Sequence, residues 1–107
     1  MAEWQRTHTC GDLRESHVGN FATLTGWVHV VRAFPNQVFV DLRDRYGLTQ
    51  VVVEDTDKAL FAQAQELGRE DVLSVTGTVR KRLPGKDRAD VATGKVELEV
   101  KTLRVLN

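Results

Sequence analysis

Five stretches of this chain place apolar residues at every second position, and a chain patterned that way must build a sheet with one face buried. Val38, Val40 and Leu42 share a phase in QVFVDLRD, as do Val51 and Val53 in LTQVVVE. Leu73, Val75 and Val79 share one in VLSVTGTVRKR, and Val96, Leu98 and Val100 in KVELEVKTLRVL. The longest stretch, Phe21 to Phe34, has Leu24, Val28 and Val30 in phase and Gly26 where a strand can bend sharply; Gly77 offers a second bend. Pro35 and Asn36, then DRYG, supply turns, so the first three strands form a meander.

Only DTDKALFAQAQELGRED breaks the alternation. Leu60, Ala64 and Leu67 recur at spacings of four and three, with Asp55 or Thr56 as cap and Gly68 as terminator, which predicts a helix. A shorter helix is expected in HTCGDLRESHVG, with Asp12 as cap and Glu15 three residues on, inside an N-terminal extension over residues 1–19. Leu83 to Gly94 reads as a polar loop, because the strands on either side of it need pairing. The expected fold class is all-β with one helix: a five-stranded Greek-key OB-fold barrel with the helix between strands 3 and 4, filling residues 1–107 as one domain. Such barrels bind oligonucleotides or oligosaccharides on their second and third strands and flanking loops.

With 107 residues, 41% of them hydrophobic, the chain has material for one modest core and none for a second domain. Fifteen basic residues balance fifteen acidic ones, so no global field gathers polyanions, and any nucleic-acid binding must be local. The basic run Arg80 to Arg88, with five cations against one anion, is the place for it, either as a solvated edge or as a binding surface. One cysteine, Cys10, allows no internal disulfide and suits a reducing compartment. Neither a signal peptide nor a membrane span is indicated, and a cytoplasmic location is expected.

Catalysis finds no support in the residues. His8, His17 and His29 lack metal-ligand spacing with one another or with Cys10, and no Gly-rich phosphate loop is present, so neither a catalytic nor a metal site is expected. Asp41 and Asp44 in DLRDR read as ion-pair partners or turn caps, with Arg43 and Arg45 beside them. Binding fares better. Phe39 falls on the polar phase of its strand with Gln37, Asp41 and Arg43, where it can stack a base. Gln50 and Glu97, also outward, carry the groups that read base edges, Arg80 and Arg82 carry charge for phosphates, and Arg43, in phase with Phe39, can touch the phosphate backbone.

RTHTCGDLRESHVG, TLTGWVH, FVDLRDRYGLTQVV, VTGTVRKR and ATGKVELEV resemble, in order and spacing, the N-terminal anticodon-binding domain of bacterial-type aspartyl-tRNA synthetase, over Arg6 to Asn107. The resemblance implies that Phe39 stacks on the aspartate anticodon at its middle uridine, that Gln50 reads that uridine's edge, and that Glu97 reads the neighbouring cytidine. It also implies a role in tRNA selection for an ATP-dependent aspartate-tRNA ligase. The chemistry, with ATP and Mg, would then lie in a catalytic domain absent from this chain, and the parent would be a homodimer. One segment departs from the family. Its members usually carry an Arg-rich turn of the type RRRDxGG, whereas this chain reads VVRAFPNQ, keeping Arg32 alone and adding Phe34, which can stack or plug the barrel mouth. That departure is what a protein-interaction module would show; a general single-stranded RNA binder is the other alternative.

Overall fold

The computed structural model describes residues 5–107; of the N-terminal extension, residues 1–4 lie outside them. Five strands, β1 (Phe21–Ala33), β2 (Gln37–Asp44), β3 (Gly47–Glu54), β4 (Val72–Lys81) and β5 (Val96–Val105), close into a barrel in the order β1-β2-β3-β5-β4. One helix, α1 (Lys58–Gln65), joins β3 to β4, as expected of an OB-fold. All neighbours run antiparallel except β3 and β5, the parallel pair that closes the barrel.

Closure depends on β1 serving two partners. Its first half pairs with β4 from Phe21 to Trp27, and its second half pairs with β2 from Trp27 to Ala33. The change of partner falls at Trp27, next to Gly26, where a Cβ would run into the carbonyl oxygen of Arg43 on β2. The register of β4 against β5 slips at Gly77, the second expected bend.

The inward phase is as the alternation predicts, from Leu24 and Val28 through Val38, Val40, Leu42, Val51 and Val53 to Leu98 and Val100. Val30 is the exception. A bulge between Val28 and Val30 shifts the β1–β2 register by one residue, which turns Val30 out and packs Val31 on the core. Helix α1 buries Leu60, Phe61 and Ala64. Its cap is Asp57 rather than Asp55 or Thr56: Asp57 is extended and its carboxylate accepts from the Leu60 N–H at 3.1 Å, three residues along. The helix ends at Gln65, before Gly68.

Ahead of β1 there is a single 3-10 turn, Glu15–His17, in place of an Asp12-capped helix. Asp12 instead accepts from the Thr9 N–H at 2.8 Å, and the Arg14 N–H donates to His17 Nδ1 at 2.9 Å. The segment is strapped to the barrel at Cys10. Its N–H donates to Asp44 at 2.9 Å, and its carbonyl accepts from the Thr49 hydroxyl at 2.7 Å. Burial first, then the charge and hydrogen bond of Asp44, push the Cys10 thiol well above its ordinary pKa, so it is unreactive.

Asp44 also accepts from the N–H groups of Tyr46 and Gly47 at 2.8 and 3.0 Å, so both its oxygens hold backbone rather than Arg43 or Arg45. Asp44→Ala leaves three backbone donors without their acceptor and is expected to cost about 3 kcal/mol or more in urea unfolding. Asp44→Asn keeps one acceptor oxygen and should cost less. A fully stable Ala variant would show that the strap is dispensable.

Candidate nucleic-acid interface

Outward side chains of all five strands, with the loops after β1 and β4, line an open cavity of about 480 Å³. Phe39, Gln50, Glu97, Arg32, Arg80 and Arg82 all line it. Arg43 does not. It shares the phase of Phe39, but four residues of strand carry it about 13 Å further along, beyond the rim, where it is exposed.

The cavity floor is one connected polar network. Gln50 donates from Nε2 to Glu97 at 2.8 Å, and its amide oxygen accepts from Arg82 at 3.2 Å and Arg32 at 3.3 Å. Both lone pairs of that oxygen are therefore in use, and the amide presents its second N–H as the free group. Glu97 takes its other hydrogen bond from Arg80 Nε at 2.7 Å, and Arg80 Nη2 reaches Glu54 at 2.6 Å. Arg32 also pairs with Asp41, at 3.2 Å.

Arg82 has the one buried side-chain polar atom without a hydrogen-bond partner among the described residues. It is only 7% exposed, its Nε donates to the Val96 carbonyl, and its Nη2 has no acceptor among the described residues. Burial, and next the cation of Arg88, hold its pKa below the usual guanidinium value. A buried donor in this state favours an incoming acceptor, such as a base carbonyl or a phosphate oxygen.

One wall is apolar. Phe39 is half-buried and meets Phe34 edge to face at 5.6 Å between centroids, while Phe34 and Leu83 are 51% and 69% exposed. Across the β2–β3 pair from Phe39 is Val52, fully buried although it lies on the outward phase. Phe34 therefore stands in the cavity wall beside Phe39, with part of its ring open to solvent.

Sequence reasoning gave Arg88 no role of its own. It lines the cavity and pairs with Asp41 at 3.3 Å and with Asp90 at 2.9 Å. The signal was in ATG. Thr93 donates to the Leu48 carbonyl, and at Gly94 a Cβ would run into the Arg88 carbonyl, so Thr93 and Gly94 fold the loop that delivers Arg88. Gln37 and Glu54 were likewise missed as wall residues; they bond each other at 3.1 Å.

The model of a family described as OB-fold nucleic acid binding domain, tRNA anticodon type, matches residues 22–106. The chain belongs to this tRNA anticodon-type OB-fold family. It is 50% identical over 101 residues to the aspartate–tRNA(Asp/Asn) ligase of Bradyrhizobium diazoefficiens, covering 94% of this chain and 17% of that protein. The chain thus spans about a sixth of the length of the curated relatives it matches, at the N-terminal region of bacterial aspartate–tRNA ligases. Among solved structures, the aspartyl tRNA synthetase of Entamoeba histolytica superimposes with a TM-score of 0.83 at 23% identity, covering 94% of this chain and 21% of that one, which speaks for the fold. A protein described as OBody AM2EP06 bound to hen egg-white lysozyme superimposes with a TM-score of 0.81 at 28% identity, covering 96% of this chain and 94% of that one.

The network of this OB-fold domain has an acid limit. Burial alone would raise the Glu54 carboxyl, but hydrogen bonds from Arg80 and Gln37 outweigh it and hold the pKa below the usual value. Its stabilisation is therefore complete above the unfolded carboxyl's pKa, about 4.3, and is lost as pH falls through the lower folded value. Urea midpoints of Glu54→Gln should fall less steeply than those of the wild type below about pH 4. Parallel curves would show that the pair contributes nothing.

Proposed function

We propose that this domain grips the anticodon loop of aspartate tRNA, as the tRNA-recognition part of an aspartate–tRNA ligase. The observation that carries the reading is the gathering of Phe39, Gln50 and Glu97 with four arginines in one cavity. Phe39 supplies a stacking face beside Gln50, whose free N–H faces a base carbonyl of the kind uridine presents. Each Glu97 oxygen keeps a lone pair beyond its present partner, so the carboxylate accepts from a cytosine amine without first breaking its bonds to Gln50 and Arg80. Arg82 Nη2 donates to the remaining acceptor. A wrong base leaves these buried groups unpaired, which is how the site discriminates.

Aminoacylation chemistry lies outside the chain on this reading, as does the parent's dimer. ATP and magnesium belong, on the same reading, to the parent enzyme's catalytic domain, and RNA binding by this domain calls on neither. No helix of the described residues is long and apolar enough to cross a membrane. The protein-interaction alternative draws on exposed Phe34 and Leu83, and the general RNA-binding alternative on the cationic rim.

Binding of an RNA stem-loop bearing the aspartate anticodon, compared at fixed salt with a one-base anticodon variant, separates the three. The cognate loop is expected to bind more tightly by about 5- to 150-fold, the worth of roughly 1–3 kcal/mol at one base. Equal affinities sink anticodon reading, and no binding of either RNA favours a protein partner. Phe39→Ala should weaken the cognate complex by a similar factor, since one base–aromatic stack is worth about 1–3 kcal/mol. Its melting temperature should barely move, because the ring lies outside the barrel core. A loss of several kcal/mol in stability would assign Phe39 a structural role instead.

A further inference from the structure

On the far side of Arg32 and Arg88, which line both spaces, a second groove of about 720 Å³ continues from the cavity. Strand β2 runs under both, presenting Phe39 to the first and Arg43 to the second. We propose that this groove is a second RNA-binding segment, which holds the ribose–phosphate backbone of nucleotides flanking the bases read in the cavity. The proposal rests on the anticodon-loop reading and extends the contact surface of that site.

Three observations carry it. First, Arg43 is exposed and has no ion-pair partner among the described residues, unlike Arg32, Arg80 and Arg88, whose charges are committed to Asp41, Glu54, Glu97 and Asp90. A cation without a partner gains a full interaction from a phosphate, whereas a paired one must first break a contact. Second, Tyr46 stands at the groove 55% exposed, with the guanidinium groups of Arg6 and Arg45 at 5.4 and 5.6 Å from its ring centroid. That arrangement holds two further cations over a partly exposed ring at the groove. Third, an OB-fold covers about 4–16 nucleotides of single strand, more than one cavity of this size can hold, so a bound strand must leave across its rim. Arg32 and Arg88 stand where the two spaces meet, and Arg43 lies beyond them along β2. The acids in the groove, Asp41 and Asp90, are already matched by those two arginines.

Backbone contacts weaken binding uniformly across sequences, while base contacts change the preference between them, and this difference supplies the test. The stem-loop with the aspartate anticodon and its one-base variant are titrated against wild type, Arg43→Gln, Tyr46→Ala and the double variant over a salt series. The double variant is expected to bind both RNAs about tenfold more weakly, with the ratio between them unchanged. Arg43→Gln alone should reduce the salt slope by about one. Both side chains are exposed, and thermal melts confirm that the variants fold. Unchanged affinity and slope would overturn the proposal, as would a collapse of the ratio between RNAs, which would make Arg43 and Tyr46 part of base reading. If the wild type shows no preference yet the variants still bind both RNAs more weakly, anticodon reading fails while the groove stands as a backbone site.

Discussion

The hydrogen bond from Gln50 to Glu97 joins the two tasks of this domain. Strands β3 and β5 pair over only Val51–Leu98 and Val52–Glu99, the shortest seam in the barrel and the one that closes it. Gln50 and Glu97 each precede one member of that first pair, and their 2.8 Å contact extends the seam by one side-chain rung. The floor of the candidate site is thus also the closure of the fold. A ligand that draws on either residue acts on the barrel's weakest edge, and the surrounding arginines hold that edge while it does so.

Charge in this molecule is managed locally. The chain is neutral overall, yet the cavity is lined by four arginines and two lysines against two glutamates. Most of those arginines are engaged by carboxylates, so the cavity is ordered before any ligand arrives rather than held apart by repulsion. Preorganisation of this kind favours selectivity over sheer attraction, because little rearrangement accompanies the right contact and a poor contact breaks something already formed. The aromatic wall of Phe34 and Phe39 offers a stacking face, which salt does not screen.

Alternation made the strands, the helix and the outward phase of Phe39, Gln50 and Glu97 legible in the sequence, since inward and outward follow from a period of two. Three features were not legible, each for a physical reason. Val30 and Val31 exchange roles because a bulge inserts one residue, and nothing in WVHVV marks which residue is extra. Arg43 left the site because phase fixes the face of a strand but not the distance along it. Arg88 entered the site from a loop, where no periodicity operates and position depends on the Thr93 anchor and the tight approach at Gly94. The pairing of β3 with β5, which assembles the cavity, joins residues far apart in the chain and has no local signature at all.

The strap at Cys10 bears on where the domain begins. The family model begins at residue 22, in the first strand, but the barrel relies on backbone well before it, and the aspartate–tRNA ligase relatives align over that stretch as well. Asp44 and Thr49 each complete their bonding on Cys10, Thr7 donates its N–H to the Thr23 carbonyl at 2.9 Å, and Leu13 is fully buried. A unit cut at Phe21 would expose the underside of the β2–β3 turn and leave a buried carboxylate short of a partner. The folding unit is therefore longer than the stretch the family model spans, and the segment ahead of that stretch is the part that holds the Tyr46 turn in place.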